Sequence, residues 1–294
     1  MRRHDPVLYD ECIAEFDPNL WTAMDGTMGH GGHTAWLIAK WREAWCNGTI
    51  VVWVDRDLQM ANKAKHFLWD GRDHCTFVHW SYAEIDRCLE ANGGEQFGYV
   101  LLDIGVNMDH FKEADRGFSI KKDWPLDMRY DTTKWIPVSQ RLPKQSFSDL
   151  VALFQNYWDF SEKKATSIVS ELQVWLKKEG VETTWSLQRF ATHIWLSDKK
   201  LAVVFQVLRI AINAELEQLD IVLSNCKTLV KSSWKLLIIS YHSGEDRRVK
   251  TAFKQMEEAW WWHQTTKRVI KPHWTEIKRN KAARSAKLRI FQFT

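Results

Sequence analysis

A doubly wound α/β sheet carrying an inserted all-helical subdomain is the fold this sequence predicts, and three observations predict it. Short β-branched runs alternate with helical periodicity at the front of the chain and again at its end. Between them, roughly 70 residues are helical in period with no convincing strand. Acids close two of the apolar runs, Asp55 and Asp103, as at the carboxyl ends of parallel strands beside a ligand.

The elements follow in order. A short strand ends near Met24-Asp25 and runs into Asp25-Gly-Thr-Met-Gly-His-Gly-Gly-His33. That loop holds Gly26, Gly29, Gly31 and Gly32 in a chain with only 13 glycines among 294 residues. Clustered glycine lets backbone approach a ligand where a side chain would clash. A helix is expected from His33 to Ala44, a buried strand from Thr49 to Val54, and a helix from Leu58 to Leu68. Cys75–His79 reads as a strand, Tyr82–Ala91 as a helix and Tyr99–Asp103 as a fourth strand.

From Asp131 the period becomes helical: Phe147–Tyr157, Ser161–Lys178 and Leu187–Ser197. Alternation then resumes with one long amphipathic helix over Leu201–Asn225, a strand over Lys235–Tyr241, a helix over Asp246–Glu258 and a last strand over Leu288–Phe293. The expected division is a sheet domain at 1–131, a helical insert at 132–200 and the returning sheet domain at 201–294.

Composition narrows the function classes. No apolar run approaches the length of a membrane span, and the start, Met1-Arg-Arg-His-Asp-Pro6, does not lead into a signal-peptide core. Cys12, Cys46, Cys75, Cys88 and Cys226 are scattered, odd in number and never spaced as CxxC. They read as reduced thiols of a cytosolic protein, with neither a disulfide framework nor a zinc site. The net charge of +4 hides an asymmetry: from Arg247 to Arg289, thirteen Lys/Arg stand against three Glu. A basic segment on a slightly acidic body suits a polyanion partner, against the plainer reading of a solvated basic face.

An acid after the second strand of such a sheet accepts hydrogen bonds from a ribose diol. Asp55 beside the glycine loop therefore points to an adenosine-containing cofactor, NAD or S-adenosylmethionine. The loop is not G-x-G-x-x-G, which disfavours a dinucleotide, and an acid at Asp103 suits a cationic sulfonium better than a pyrophosphate. His30 and His33 have no third ligand at sensible spacing, so no metal is expected. His242 and Ser243 follow a strand without the G-x-S-x-G elbow of a hydrolase and read as walls of the cleft.

Longer blocks carry a specific likeness. Asp25–His33, Val54-Asp-Arg-Asp57, Leu102-Asp-Ile-Gly-Val106, Asp115-Arg-Gly-Phe-Ser119 and Pro125-Leu-Asp-Met-Arg129 resemble the bacterial 16S rRNA (cytosine-N4)-methyltransferases. So do Ile239-Ser-Tyr-His-Ser243, Glu245-Asp-Arg247 and Arg284-Ser-Ala-Lys-Leu-Arg289, and the resemblance runs nearly end to end. It implies a Rossmann-like methyltransferase sheet and methyl transfer from S-adenosylmethionine to a cytidine of small-subunit rRNA near the decoding centre, in the cytoplasm. Cofactor contacts implied by it fall on Gly31, Gly32, His33, Asp55, Tyr82, Asp103 and His110; the family has Gln where His110 stands. Asn107-Met-Asp-His-Phe111 departs from the family's serine-rich pattern, Gly244 replaces a usual Leu, and 197–204 lacks the family's His-Pro and Thr-Arg pattern.

The catalytic candidates are Asp103, Asp127 and Arg129, the last two also readable as a structural ion pair. Arg247, Arg248, Lys250, Arg284 and Lys287, with Arg289, are the candidate phosphate contacts, some of them serving the fold. The oligomeric state is left open, a homodimer among the options. Two other readings stand beside the first: a methyltransferase acting on another RNA or a small molecule, and a ribosome-assembly factor that has lost catalysis.

Tryptophan is anomalous, with 18 in 294 residues. Trp53, Trp80, Trp124, Trp158 and Trp234 fall where the family usually carries glycine or another small residue, and Trp260-Trp-Trp262 is a triple run. A UGA codon meaning glycine in the source, but written here as Trp, accounts for this; genuine core or stacking aromatics are the alternative.

Overall fold

The computed structural model of the chain describes residues 6–17, 19, 22–43, 50–67, 75–157, 161–259, 262–266 and 268–293. Cys46, Trp158, Trp260 and Trp261, and the expected element ends at Ala44, Thr49 and Leu68, lie outside the described residues. Contacts divide the chain into two compact units, Met1–Gly105 with Glu217–Thr294, and Val106–Leu216. The sequence pattern instead changes near 131 and 200, because the segment before 131 shows no helical period and the helix after 200 reads as continuous with the one that follows it.

The first unit opens with α1 (Tyr9–Ala14), β1 (Thr22–Asp25), α2 (Gly32–Glu43), β2 (Ile50–Val54) and α3 (Leu58–Phe67). Then come β3 (Cys75–Val78), α4 (Ile85–Ala91) and β4 (Phe97–Asp103). The second unit contains α5 (Val138–Arg141), α6 (Phe147–Tyr157), α7 (Glu162–Lys178) and α8 (Thr184–His193), and α9 (Asp198–Ile212). The chain returns to the first unit through α10 (Glu215–Leu229), β5 (Val230–Ser240), α11 (Ser243–Glu258), β6 (Trp262–Gln264), α12 (Trp274–Arg279) and β7 (Lys287–Phe293).

The sheet order is β3-β2-β1-β4-β5-β7-β6. The first five strands are parallel, while β7 runs antiparallel to β5 and to β6. Successive strand residues point to opposite faces, and here both faces are buried. Ala23, Val51, Trp53, Tyr99, Leu101, Leu237 and Ile239 join one core with Leu8, Trp36 and Leu37. Met24, Val52, Val54, Val100, Leu102, Leu236 and Ile238 join the other with Leu219, Val222, Val249 and Phe253. Helices on both faces of a parallel sheet account for the continuous apolar runs that the strands show.

Several element ends differ from the sequence expectation for local reasons. The helix expected from Tyr82 starts at Ile85, because Ser81 and Glu84 first close a turn through Glu84 N–H to Ser81 O at 3.0 Å. The helix expected over Leu187–Ser197 spans Thr184–His193: Thr183 caps its start and a left-handed residue ends it. The single helix expected over Leu201–Asn225 is two, α9 and α10, broken at Asn213 and Ala214, where Ala214 has φ 48°. β5 begins at Val230, before the expected Lys235, and the short edge strand β6 has no counterpart in the sequence pattern.

In the second unit, Phe118, Leu126, Met128 and Tyr130 share a core with Leu150, Phe154, Ile168, Leu172, Phe190 and residues of α9. The Arg116-Gly-Phe-Ser and Pro125-Leu-Asp-Met-Arg blocks form one structure here. The Arg116 guanidinium donates to the carbonyls of Arg129 at 2.7 Å and Tyr130 at 2.9 Å, and Met128 N–H returns to Arg116 O at 2.9 Å. Gly117 has φ 73°, and a Cβ there would lie 2.4 Å from Pro125 O, so only glycine lets the two blocks meet.

Candidate active site

The glycine loop lies at the carboxyl ends of β1, β2 and β4. Asp25, at the end of β1, is buried and organises it: Thr34 Oγ1 donates to Asp25 Oδ2 at 2.6 Å and Thr27 N–H to Oδ1 at 3.2 Å. Burial pushes the Asp25 carboxyl up, while the His33 charge and the hydrogen bonds from Thr34 and Thr27 oppose it. The loop is stitched to neighbouring strands by Gly26 N–H to Leu101 O at 2.9 Å and Met28 N–H to Val54 O at 3.1 Å. Gly26 has Tyr82 for a neighbour, and a Cβ there would meet Leu102 at 2.3 Å and Tyr82 Cβ at 3.1 Å.

Asp55 directly follows β2 and accepts the Gly29 N–H on Oδ2 at 2.7 Å and the Asp57 N–H on Oδ1 at 2.8 Å. Desolvation raises its carboxyl to about 6, against the pull of those two backbone donors. Asp103 ends β4, and its N–H donates to Thr27 Oγ1 at 2.7 Å. His33, in the first turn of α2, places Nε2 3.7 Å from Asp103 Oδ2, outside hydrogen-bond range. Both His33 ring nitrogens and Asp103 Oδ1 are buried without a hydrogen-bond partner among the described residues. Buried polar groups are ordinarily satisfied, so these atoms have hydrogen-bonding capacity to spare for a ligand.

Gly31, Gly32, His33, Asp55, Tyr82 and Asp103 thus belong to one unit. Among the described residues, no group of three or more His, Cys, Asp or Glu is placed to hold a metal ion. Sequence reasoning missed Thr27 and Thr34, which tie the loop to Asp25 and Asp103; both lie in or beside the glycine cluster. It also read past Glu245, which is buried and accepts the N–H groups of Tyr241 at 2.8 Å and His242 at 3.1 Å on one oxygen. The His242-x-x-Glu245 spacing, a capping box at the start of α11, was the available signal.

His110, Asp127 and Arg129 belong to the second unit. His110 is buried in an aromatic group, stacked 5.0 Å from Phe118 and tilted 4.9 Å from Tyr130. Asp127 and Arg129 form a two-pronged ion pair, Nε to Oδ1 at 2.7 Å and Nη2 to Oδ2 at 2.8 Å. Arg129 Nη1 donates to the carbonyls of Thr132 at 3.0 Å and Trp135 at 2.9 Å, so its donors hold Asp127 and the following turn.

The basic candidates divide. Lys287 and Arg289 on β7 both pair with Asp246 of α11, at 2.9 and 2.8 Å. Arg248 pairs with Asp220. Arg247, Lys250 and Arg284 are exposed. Arg247, Arg248 and Lys227 line an open groove of about 610 Å³ between α10 and α11. Among the described residues, no helix is long and apolar enough to cross a membrane.

The MraW methylase family model matches residues 1–294. The ribosomal RNA small subunit methyltransferase H of Picosynechococcus sp. is 34% identical over 294 residues, covering 98% of this chain and 95% of that protein. The protein of the same name from Sorangium cellulosum is 31% identical, covering 98% and 90%. That from Sulfurihydrogenibium sp. is 31% identical over 298 residues, covering 99% of each.

Proposed function

The chain belongs to the MraW methylase family, and from that premise we propose that it methylates the N4 amine of a cytidine in 16S rRNA, near the decoding centre, from S-adenosylmethionine. The observation that carries the reading is the Asp55–Gly29 tie beside the orphaned His33 and Asp103 atoms. A carboxylate fixed by two backbone donors, with unsatisfied polar groups nearby, fits an adenosine cofactor that also carries an ammonium and a carboxylate.

The cofactor supplies an activated methyl on a cationic sulfonium. Asp55 is assigned to the ribose diol, Gly31 and Gly32 to close backbone approach, and His33 and Asp103 to the polar groups of the amino-acid end. Tyr82, beside Gly26, supplies an aromatic wall. His110 is the remaining assigned cofactor contact.

A cytidine N4 amine is a poor nucleophile, since its lone pair is delocalised into the ring; orientation and acceptors for its protons supply the gain. Asp127, held rigid by Arg129, is assigned to position that amine, and Asp103 is the other acid available. The base is read outside its stack, as a loop or a loosely paired segment of rRNA permits. Arg247, Arg248, Lys250 and Arg284 are assigned to phosphates; Lys287 adds positive charge beyond its bond to Asp246. The partner is the small ribosomal subunit, and the setting is the cytoplasm.

Mass mapping of small-subunit rRNA from cells lacking this protein tests the reading. Loss of one cytosine-N4 methyl group, restored by the wild-type gene, is expected; full retention overturns it. Methyl incorporation into naked 16S rRNA against assembled small subunits separates the RNA from the particle as substrate.

A further inference from the structure

Tyr241 follows β5, whose Ile239 pairs with Asp103 across the sheet. Its ring lies directly on Gly105, where a Cβ would fall 2.3 Å from Tyr241 Cε2 and 2.7 Å from Cδ2. Its backbone is locked, because Glu245 accepts the Tyr241 and His242 N–H groups together. Cζ of the same ring would lie 2.9 Å from that Cβ, two residues beyond Asp103, and the Asp103 charge acts on the phenol, while Asp103 Oδ1 stays buried without a hydrogen-bond partner among the described residues. Burial first, and then the Asp103 charge, hold the phenol well above its ordinary range, so the hydroxyl stays a donor.

We propose that Tyr241 is a positioning residue, holding the Asp103 carboxylate so that Oδ1 is presented to a donor group of the cofactor. This rests on the assignment of Asp103 to the cofactor. Tyr241→Phe keeps the ring over Gly105 and removes only the hydroxyl. Calorimetry with S-adenosylhomocysteine should show affinity about tenfold weaker, the loss of one hydrogen bond to a charged group, at an unchanged melting midpoint. Under turnover, KM for S-adenosylmethionine should rise while kcat holds. With Asp103→Asn already in place, adding Tyr241→Phe should cost nothing more, since both act through one contact. Additive losses, or wild-type affinity in Tyr241→Phe, overturn the proposal. If Asp103→Asn itself binds like wild type, the assignment of Asp103 falls and the role of Tyr241 with it. If Asp103→Asn loses binding and Tyr241→Phe does not, only the Tyr241 proposal falls.

Independent backbone evidence bears on the tryptophans. Trp195 has φ 56° and Trp135 has φ 59°, left-handed values that a bulky side chain disfavours. After α8, Leu196 N–H bonds Ala191 O at 2.9 Å and Trp195 N–H bonds Thr192 O at 3.1 Å. That is the Schellman closure, whose left-handed position is usually glycine. The same closure after α4 uses Gly93 at φ 69°, with Gly94 N–H to Leu89 O at 2.8 Å. Trp195 is 94% exposed, so packing gives its indole nothing in return. Trp36, by contrast, packs edge-on against Tyr9 and Phe16 in the core.

We infer that the organism making this protein inserts glycine at positions 135 and 195, through UGA codons written here as Trp. Mass spectrometry of the natively expressed protein tests it through the tryptic peptides Trp135–Arg141 and Phe190–Lys199. Each should be lighter than written by the difference between tryptophan and glycine; a tryptophan mass in either overturns the inference at that position. In protein made with Trp at both sites, Trp195→Gly should raise the melting midpoint by about 2–4 °C. An unchanged or lower midpoint overturns the argument from the Schellman closure.

Discussion

Gly29 donates its N–H to Asp55 Oδ2 at 2.7 Å, so the carboxylate just after β2 also fixes the middle of the glycine loop. Asp57 N–H holds the other oxygen at 2.8 Å. An amide has one acceptor oxygen where the carboxylate has two, so Asp55→Asn gives up a loop bond as well as the ionised acceptor for a ribose. Calorimetry should find S-adenosylhomocysteine bound at least tenfold more weakly, a loss of about 1.5–3 kcal/mol. Affinity within twofold of wild type would remove Asp55 from the site.

The same carboxyl predicts a pH dependence. Desolvation raises it to about 6 from an ordinary 3.8. Without cofactor, the stability this group contributes is therefore present below about pH 4 and lost as pH rises through about 6. Cofactor binding has the opposite sign, because a ribose diol donates to the ionised form. Affinity should fall as pH drops below about 6, with a proton released on binding near that pH. Titrations in buffers of different ionisation heat measure that proton, and Asp55→Asn should abolish its release.

Asp246 binds Lys287 and Arg289 together. Burial alone would raise its carboxyl, but the hydrogen bonds from Arg289 and Lys287 overcome that and hold it below the usual range. Its stabilisation is thus present above about pH 4 and lost as pH falls through the lowered value. Asp246→Ala should destabilise the fold by about 2 kcal/mol at pH 7 by stranding two cations. Chemical denaturation at pH 7 and pH 3 checks both statements, since the wild-type advantage should shrink at the lower pH.

The sheet was legible because both its faces are buried, so the runs at Val51–Val54 and Val100–Leu102 are unbrokenly apolar, and each is followed by an acid, Asp55 and Asp103. The glycine loop and Asp55 were legible for a related reason: their spacing is local. What sequence hid are relations made by folding. Thr27 and Thr34 meet Asp103 and Asp25 only once the loop closes, and Tyr241 reaches Asp103 only across paired strands. The α9–α10 break is of the same kind. Asn213 and Ala214 both fit a helical period, and the contacts that favour a break lie some 80 residues away, at Met128 and Tyr130.

Arg129 spends its guanidinium on Asp127 and two carbonyls, so its role in this reading is to aim Asp127. Lysine keeps the charge but cannot reproduce the fork. Arg129→Lys should therefore lower kcat/KM for rRNA about tenfold, or ~1.4 kcal/mol, while cofactor affinity is unchanged. Parallel loss of both would make the ion pair a support of the whole fold instead.

Asn213 offers the sharpest test of how the second unit is held. Its amide nitrogen donates to Met128 O at 2.7 Å and Arg209 O at 2.9 Å, and its oxygen accepts Tyr130 N–H at 2.8 Å. Asn213 is buried, and Met128 sits at φ 62°, a strained value that these bonds help to hold. Asn213→Ala leaves a buried N–H and a buried carbonyl without these partners, at about 2–4 kcal/mol for the two. Asn213→Asp still accepts from Tyr130 but, when ionised, sets a negative charge against Met128 O. It should therefore be no better than alanine at pH 7, although it is nearly isosteric with asparagine. Denaturant titration of the three proteins decides it: an aspartate variant as stable as wild type would mean that the bond to Met128 contributes nothing to the break between α9 and α10.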